Sequence, residues 1–198
     1  MPDRSMPNPL MRCPWCGDDP LYVAYHDTEW GVPQRDHRAL WEMLTLEAFQ
    51  AGLSWITILR KRDGFRRASA GFDPVVVAGW GEADVLRCLA DPGIVRHRGK
   101  IEATIRGAQA YLRIEAAGGF APFLWRFVDD RPQQSRLRGM ADAQALTPAS
   151  TAMSKALKAE GFGFCGPTIT HAFMQATGMV NDHLLTCPRH AVVAALGG

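Results

Sequence analysis

A carboxylate stands on the apolar side of a predicted helix, at Glu47. It comes seven residues after Leu40, four after Met43 and three after Leu44, so helical geometry places it on the stripe that should face the core. Burying an unpaired ionised carboxylate is costly, so such a group is hydrogen-bonded, protonated or kept for a ligand that supplies donors. Position alone leaves two interpretations open: part of a polar binding site, or a glutamate at a helix end that reaches solvent.

Aromatic residues near Glu47 in the chain favour the binding site. Gly52 and Leu53 belong to a tight turn that would bring an indole ring close to the carboxylate, and two tyrosines three residues apart stand upstream. Aromatic rings around a carboxylate can hold a flat, polar ring. Ordinary core packing is the alternative for the tyrosines. The candidate wall residues are Trp55, Tyr25, Tyr22 and Trp15.

Two pairs of nitrogen and sulfur ligands stand near opposite ends of the chain. Cys13 and His26 are separated by twelve residues, and His183 and Cys187 by three. Four such ligands can form a tetrahedral zinc site, which would join the two chain ends and contribute to folding stability. A complete shell of protein ligands leaves no position for a reacting water, so the pattern favours a structural zinc.

Two further residues keep this ligand set open at the level of sequence. Cys16 forms a C-x2-C pair with Cys13 and could replace His26, and His190 is a second spare ligand. The five cysteines are odd in number and too sparse for a disulfide scaffold, which favours metal binding or plain burial.

A short turn between two predicted helices, at residues 89–101, resembles a helix-hairpin-helix. The backbone N–H groups near Gly99, at the start of the second helix, would point outward and bind a phosphate without reading base sequence. A second basic run, from Arg60 to Arg67, flanks the candidate cavity in sequence. A solvated connection with incidental arginines is the alternative. The side chains expected to add positive charge at the turn are Arg96, Arg98 and Lys100.

The elements that must position these residues are predicted to be helical, which gives an all-α fold. Apolar spacing and capping residues predict a helix from Asp36 to Gly52, one that begins at Ser54, and others after Asp73 and Gly81. Further helices are predicted at 99–117, 120–128, 149–160 and 168–177.

Strand signals are confined to two short β-branched runs, 75–77 and 191–193. The polar residues 129–146 are predicted to be an exposed connection between two helical lobes.

Composition indicates one folded domain, in which a binding surface for a charged partner would come from local clusters of charged residues. The 198 residues are 47% hydrophobic with a formal net charge of +2, which excludes general disorder and a strongly basic protein. The sequence has no apolar run long enough to span a membrane and no secretory signal, so we expect a cytoplasmic monomer. The expected organisation is a flexible leader at 1–10, one domain at 11–190 and a tail at 191–198.

Five long segments in order resemble the 3-methyladenine DNA glycosylase I (Tag) family of helix-hairpin-helix base-excision enzymes. They are DPLYVAYHDTEWGVP, LEAFQAGLSWITILRKR, GIVRHRGKI, TPASTAMSKALKAEGF and FMQATGMVNDH. The similarity covers about Met11 to His190, with departures at Cys16 and Pro167. It implies a helical glycosylase domain that flips N3-methyladenine out of alkylated double-stranded DNA and hydrolyses its glycosidic bond.

The resemblance also implies a role for each candidate residue. Glu47 would read the damaged base, with Trp55 and Tyr25 stacked on it and Tyr22 and Trp15 lining the pocket. The turn at Gly52 and Leu53 would fill the gap that the extruded nucleotide leaves. The implied structural zinc ligands are Cys13, His26, His183 and Cys187.

Alkylation at N3 makes adenine a cationic leaving group, so the expected chemistry needs a selective pocket more than a strong acid. No lysine stands where it would imply a Schiff base, which predicts a monofunctional hydrolase that does not cut the strand. Two other classes compete with this interpretation. One is a non-enzymatic, zinc-stabilised DNA-binding module, and the other is a zinc hydrolase for small molecules, which needs an open coordination position.

Overall fold

The computed structural model describes residues 11–197, and the leader predicted at 1–10 lies outside them. This described part is mostly helical, which confirms the all-α prediction. Its α-helices are α1 (Pro20–Thr28), α2 (His37–Gln50), α3 (Trp55–Ala68), α4 (Pro74–Ala78), α5 (Glu82–Ala90), α6 (Arg98–Ala117), α7 (Phe120–Trp125), α8 (Pro148–Glu160), α9 (Pro167–Ala176) and α10 (Pro188–Leu196).

The predicted helix starts agree with the structure to within one residue, and side-chain caps explain half of them. The Asp36 carboxylate accepts a hydrogen bond from the Ala39 N–H at the start of α2, and Asp73 accepts two backbone bonds at the start of α4. Such caps satisfy N–H groups that have no partner within the helix. Ser54 stands at the N-cap of α3, but its side chain makes no capping bond.

Both β-branched runs are helical. Residues 75–77 lie in α4 and residues 191–193 in α10. Residues 191–196 of the predicted tail therefore belong to α10, which packs Val193 into the interior. At 191–193, a helix that begins at Pro188 overrides a β preference that only two valines carried.

The connection at 129–146 is mostly exposed, as predicted, and hydrogen bonds attach it to the rest of the domain. Its two-residue strand β1 (Gln133–Gln134) pairs in parallel with β2 (Val180–Asn181), which follows α9. This pairing brings the middle of the connection over the cavity described below.

Helix α2 lies at the centre of the domain, in contact with α3, α6, α7 and α9. Helix α9 also packs on α8, and α4 and α5 pack on α6. A Cβ atom at Gly64 of α3 would overlap the carbonyl oxygen of Gly93, so α3 meets the turn between α5 and α6 at the level of the backbone. Within residues 11–197, every helix is too short or too polar to cross a membrane.

Candidate ligand cavity and metal centre

A cavity of about 250 Å³ opens between α1, the end of α2, the start of α3, and α9. Sites for small molecules typically measure roughly 300 to 1,000 Å³, so this one suits a single small ring system. The structure brings five sequence-predicted residues together on its wall: Glu47, Trp55, Tyr25, Tyr22 and Trp15. The other lining residues are Trp30, Gln50, Leu137, Met140, Ala143, Ala172, Gln175 and Asp182.

Glu47 is the polar centre of the cavity. It lies in the last turn of α2, and the residue is only 3% exposed. Its Oε2 atom has no hydrogen-bond partner among the described residues. Burial raises the pKa of Glu47 to about 8, and no neighbouring charge contributes to the shift. The helix-end glutamate that reaches solvent is therefore excluded, and the carboxyl group holds a proton at neutral pH while the cavity is empty.

Three more polar atoms on the wall lack a partner within the described part of the chain. They are the indole N–H groups of Trp15 and Trp55 and the amide oxygen of Gln50. Buried polar atoms in native proteins are nearly always hydrogen-bonded, so a group of orphans on one cavity wall indicates a polar ligand. Gln50 follows Glu47 by three residues on α2, and that spacing was a signal that sequence reasoning missed.

The rings of the cavity wall contact one another at an angle. Tyr25 and Trp55 have centroids 5.5 Å apart and planes inclined by 46°. Trp15 contacts Trp30 at 4.7 Å and Tyr22 at 5.1 Å, both edge to face. Trp30 belongs to the family segment DPLYVAYHDTEWGVP, but sequence reasoning did not select it. Rings inclined in this way leave one or more faces free for a flat ligand.

A second carboxylate, Asp182, lies on the same wall and was not predicted. Its Oδ2 accepts a hydrogen bond of 2.6 Å from Nε2 of Gln175 and lies 3.3 Å from Nε2 of His171. Burial opposes its ionisation, but the neighbouring side chains of His171, Ser135 and Gln175 outweigh that effect and lower the pKa of Asp182. The cavity therefore contains two carboxyl groups of different kinds: Glu47, whose pKa is raised, and Asp182, whose pKa is lowered.

The turn between α2 and α3 projects Leu53 outward. Gly52 has a φ of +82°, a conformation that favours glycine, and Leu53 is 42% exposed beside it. Lys100 holds this turn from below: its Nζ donates to the carbonyl oxygens of Phe49 and Ala51 at 2.8 and 2.6 Å. A cation at the end of α2 also satisfies carbonyls that the helix leaves without partners.

The predicted phosphate contact through Lys100 is therefore wrong. Its side chain is buried, with 6% exposure for the whole residue, and points into the domain. The sequence placed Lys100 beside two arginines at a helix start, where exposure is the usual state, and gave no sign of the carbonyl oxygens of α2 that attract it.

The other groups at this helix start differ in how far they are neutralised. Arg98 is exposed but forms a double hydrogen bond with Glu82, at 2.8 and 2.9 Å. Arg96 is exposed and has no ion pair among residues 11–197. The backbone N–H of Gly99 likewise has no partner there, because His97 caps the N–H of Lys100 instead.

The second basic run, from Arg60 to Arg67, is largely paired. Arg60 contacts Asp19, Arg62 contacts Glu29, Arg66 contacts Glu42, and Lys61 donates to the Pro92 carbonyl oxygen. Most of this run therefore connects α3 to neighbouring elements, which weakens its interpretation as a free basic surface.

The four predicted metal ligands converge at the back of the cavity. The ligand atoms of Cys13, His26, His183 and Cys187 all lie within 4.8 Å of one another, and all four residues are buried. The Cys187 sulfur is 3.7 Å from a ring nitrogen of each histidine, and the Cys13 sulfur is 3.6 Å from Nδ1 of His183. Tetrahedral zinc with bonds of about 2.3 Å to sulfur and 2.0 Å to nitrogen separates such atoms by about 3.5 Å. The group can therefore hold a metal ion.

Outer contacts orient both histidines for such an ion. Nδ1 of His26 is 2.8 Å from Oδ1 of Asp27, and Nε2 of His183 is 3.1 Å from the carbonyl oxygen of Trp30. Metal-binding histidines usually donate their second ring N–H to a carboxylate or a carbonyl group, as here. A hydrogen bond from Arg12 is the main reason that the pKa of Asp27 falls to about 2.

The two spare ligands do not join the group. The Cys16 thiol donates to the carbonyl oxygen of Cys13 at 3.2 Å, and Nε2 of His190 lies 3.0 Å from the carbonyl oxygen of Ser135. Burial raises the pKa of the Cys13 thiol to about 12, so metal binding would release a proton from it.

A helical domain with a small aromatic cavity around a buried carboxyl group, beside an outward-facing hydrophobic turn, defines a class of protein that binds a single flat, polar ring. Comparison with known sequences makes the class specific. Residues 15–190 match the family described as methyladenine glycosylase, and the chain belongs to that family.

Similar proteins agree with this assignment over nearly the whole chain. DNA-3-methyladenine glycosylase 1 of Escherichia coli (strain K12) is 52% identical over 179 residues, which cover 90% of this chain and 96% of the relative. A crystal structure of a 3-methyladenine DNA glycosylase I has a TM-score of 0.89 at 52% identity and covers 90% of this chain and 98% of that one. Another glycosylase of that name, crystallised with 3-methyladenine, has a TM-score of 0.87 at 40% identity and covers 89% of this chain and 95% of that one.

Proposed function

We propose that this protein is a DNA-3-methyladenine glycosylase, which releases N3-methyladenine from alkylated double-stranded DNA. The observation that carries the proposal is the buried Glu47 carboxyl group on the wall of an aromatic cavity, whose Oε2 has no partner among residues 11–197. The relatives named above act on, or bind, the same base. A buried orphan acceptor is costly unless a ligand completes it, and the amino edge of a methylated adenine supplies N–H donors.

The positive charge of the alkylated base adapts the cavity to its substrate. In DNA, N3-methyladenine is a cation, and a cation near Glu47 favours the ionised carboxylate over the neutral acid. Binding at neutral pH therefore displaces a proton from Glu47. Stacking on Trp55 and Tyr25 adds selectivity, since a cationic ring is attracted to aromatic faces by about 0.5 to 2 kcal/mol.

The reaction needs little help from an acid. The bond between the sugar C1′ and N9 of the base breaks, and its electron pair neutralises the cationic base, which leaves as a neutral molecule. A water oxygen forms the new bond to C1′ and loses its proton to solvent. Lys100 does not line the cavity and donates to two carbonyl groups, in agreement with a monofunctional hydrolase that forms no Schiff base.

Extrusion of the nucleotide involves the turn between α2 and α3. Exposed Leu53 would enter the duplex where the base has left the stack, and Gly52 permits the conformation that presents it. Arg96, Arg98 and the N–H of Gly99 would contact phosphates without sequence specificity. Within this proposal, residues 11–190 act as one domain and as a cytoplasmic monomer.

A structural zinc completes the proposal. Two thiols and two oriented imidazoles are a preferred zinc donor set, and four protein ligands leave no coordination position for a substrate. The ion would join the first and last parts of the described chain and support the cavity from behind. A small-molecule zinc hydrolase does not fit this closed ligand set, and a non-enzymatic DNA-binding module gives no reason for Glu47 in an aromatic cavity.

The test is base release from methylated DNA by the wild type, Glu47→Gln and Glu42→Gln. Glu42 is on the same helix, outside the cavity, and pairs with Arg66. We expect Glu47→Gln to lower single-turnover release of N3-methyladenine by on the order of 100-fold, as loss of one preorganised charged group does. Glu42→Gln should retain it, and both should bind undamaged DNA like the wild type. Unchanged release by Glu47→Gln would remove Glu47 from the mechanism, and no release by the wild type would refute the function itself.

A further inference from the structure

A strained, exposed phenylalanine lies beside the start of α6 and has no role in the reaction described above. Phe164 has a φ of +55°, a left-handed conformation that bulky side chains rarely adopt. Phe72 has almost the same φ, +56°, but it is 1% exposed, so core packing offsets its strain. Phe164, in contrast, is 38% exposed. Strained residues cluster at functional sites, so this ring is a candidate for contact with a partner.

The turn that carries Phe164 is rigid. It joins α8 to α9, and of residues 162–166 only Phe164 is exposed. Two side-chain hydroxyl groups donate to the carbonyl oxygen of Cys165, the next residue, at 2.6 and 3.1 Å. A Cβ atom at Gly163 would lie 2.9 Å from Cβ of Ala103, so the turn rests directly on α6. The ring is therefore held in one position before a partner arrives.

The proposed DNA surface has two parts, the start of α6 and the turn of Leu53, and the ring of Phe164 lies near both. A Cβ atom at Gly99 would be 3.7 Å from Cζ of the ring, so the ring borders the start of α6. Lys100 links the ring to the second part, because its Nζ lies 5.7 Å from the ring centroid and 2.6 Å from the Ala51 carbonyl oxygen. A duplex that contacts both parts comes within reach of this ring.

A purely structural role is the alternative. The ring contacts His97 edge to face, with centroids 5.9 Å apart, and His97 caps α6 through the N–H of Lys100. In that role, loss of the ring would loosen the helix start and weaken the phosphate contacts there. The two roles differ in their response to salt, because salt weakens phosphate contacts in proportion to their number and does not weaken apolar contacts in this way.

We propose that Phe164 is an apolar contact to DNA, packed on deoxyribose groups of the strand whose phosphates meet the start of α6. The inference rests on the proposed function, which brings a duplex to this face. Leu53 and Phe164 then have different tasks. Leu53 enters the gap that the extruded nucleotide leaves, whereas Phe164 lies against the sugars beside that gap and fixes the position of the duplex. Sugar contacts of this kind carry no base specificity.

Phe164→Asn tests the contact, because asparagine suits a left-handed conformation and removes the ring. Binding is measured with a duplex that contains a tetrahydrofuran abasic site, which the protein cannot excise. We expect the variant to bind this duplex roughly three- to tenfold more weakly than the wild type, as burial of the exposed part of one phenylalanine implies. The slope of log affinity against log salt concentration should stay unchanged, since no phosphate contact is lost.

Two further variants control for other causes. Phe164→Leu keeps an apolar side chain at the same place and should recover part of the affinity. Val75→Asn removes an apolar side chain that is 68% exposed on α4. Helix α4 packs on the far half of α6, where Gln109 donates to the Ala78 carbonyl oxygen, so this variant should bind the duplex like the wild type.

Binding of free N3-methyladenine, followed by tryptophan fluorescence, separates loss of the DNA contact from damage to the domain. Phe164 does not line the cavity, so Phe164→Asn should bind the free base like the wild type. Equal losses for the duplex and the free base would overturn the proposal, because they would indicate damage to the fold.

Unchanged duplex affinity in Phe164→Asn would also overturn the proposal. A loss of affinity together with a lower salt slope would do the same, because it would assign the ring to the support of His97 and the phosphate contacts. Failure of the proposed function is a separate result, since it would appear as no release of N3-methyladenine by the wild type. Duplex binding is measured without any excision and tests Phe164 in either case.

Discussion

Two groups of buried polar side chains lie back to back in this domain and differ in whether the protein satisfies them. Neighbouring residues contribute to the two groups: Tyr25 lines the cavity and His26 faces the metal group, and the same holds for Asp182 and His183. In the metal group each histidine has both an inner and an outer partner. On the cavity wall, Glu47 and three other residues keep polar atoms without partners in the described chain.

Buried polar groups in this domain are therefore of two kinds: some stabilise the fold and others are available to a ligand. A polar group that finds its partners inside the protein stabilises one arrangement of the chain, whereas an orphan group costs stability and is retained for a ligand. The shared helix α1 and the shared segment 182–183 also imply that the metal group positions the cavity. Loss of a satisfied group should therefore unfold or loosen the domain, and loss of an orphan should stabilise it while abolishing its activity.

The largest effect is expected at the metal group. Cys187→Ala should abolish stoichiometric zinc binding and lower the free energy of unfolding by roughly 4 kcal/mol or more, because metal binding is coupled to folding and the closed loop is long. Chemical denaturation and zinc analysis of the purified protein measure this. Cys16→Ala is the matched control, since its thiol contacts the carbonyl oxygens of Cys13 and Gly17 and lies outside the metal group, and it should retain zinc. Equal damage from the two variants would contradict the assigned ligand set.

The next effect has the opposite sign and comes from Glu47. Burial raises the pKa of Glu47 from its ordinary value of 4.5 to about 8 in the folded protein, so between these pH values the folded state binds more protons than the unfolded state. The free energy of unfolding of the wild type therefore falls as pH rises from about 4.5 to 8. Glu47→Gln has no proton to lose at this position, so its free energy of unfolding does not fall with pH for this reason. Relative to the wild type, the variant should gain roughly 4 kcal/mol at pH 8 and little at pH 4.5.

Urea denaturation of wild type and Glu47→Gln at pH 5, 6.5 and 8 tests this dependence. Glu42→Gln serves again as the control, and its difference from the wild type should not grow with pH. A constant difference between Glu47→Gln and the wild type would mean that Glu47 is ionised in the empty cavity, and the distinction between orphan and satisfied groups would fail at its central residue.

Most of the fold and the main side chains of both sites could be predicted from sequence because their signals are local. Helix caps such as Asp36 and Asp73, and the helical spacing that places Glu47 on an apolar stripe, need only a few neighbouring residues. The metal ligands were identified in pairs by spacing, and family resemblance joined the pairs. The short helix α10 was missed because the adjacent valines Val192 and Val193 favoured a strand.

What the sequence did not predict depends on contacts between distant segments. Lys100 points inward because the end of α2 offers two carbonyl oxygens, about fifty residues earlier in the chain. Asp182 and Trp30 reach the cavity only through the packing of α9 and α1. The connection at 129–146 has no periodic pattern, yet Leu137 and Met140 cover the cavity because β1 pairs with β2.

The smallest predicted effect extends the comparison to the surface, where Arg96 has no ion pair in the described chain and Arg98 is held by Glu82. A free cation releases one counterion from DNA when it meets a phosphate, whereas a paired cation must first leave its carboxylate. Arg96→Ala should therefore lower the slope of log affinity against log salt concentration by about one unit, and Arg98→Ala by less.

Binding of undamaged duplex DNA between 50 and 200 mM salt measures both slopes, with Arg113→Ala as a control because its guanidinium donates to the Glu160 carbonyl oxygen away from this turn. A larger change for Arg98→Ala than for Arg96→Ala would mean that Glu82 positions Arg98 for DNA instead of neutralising it.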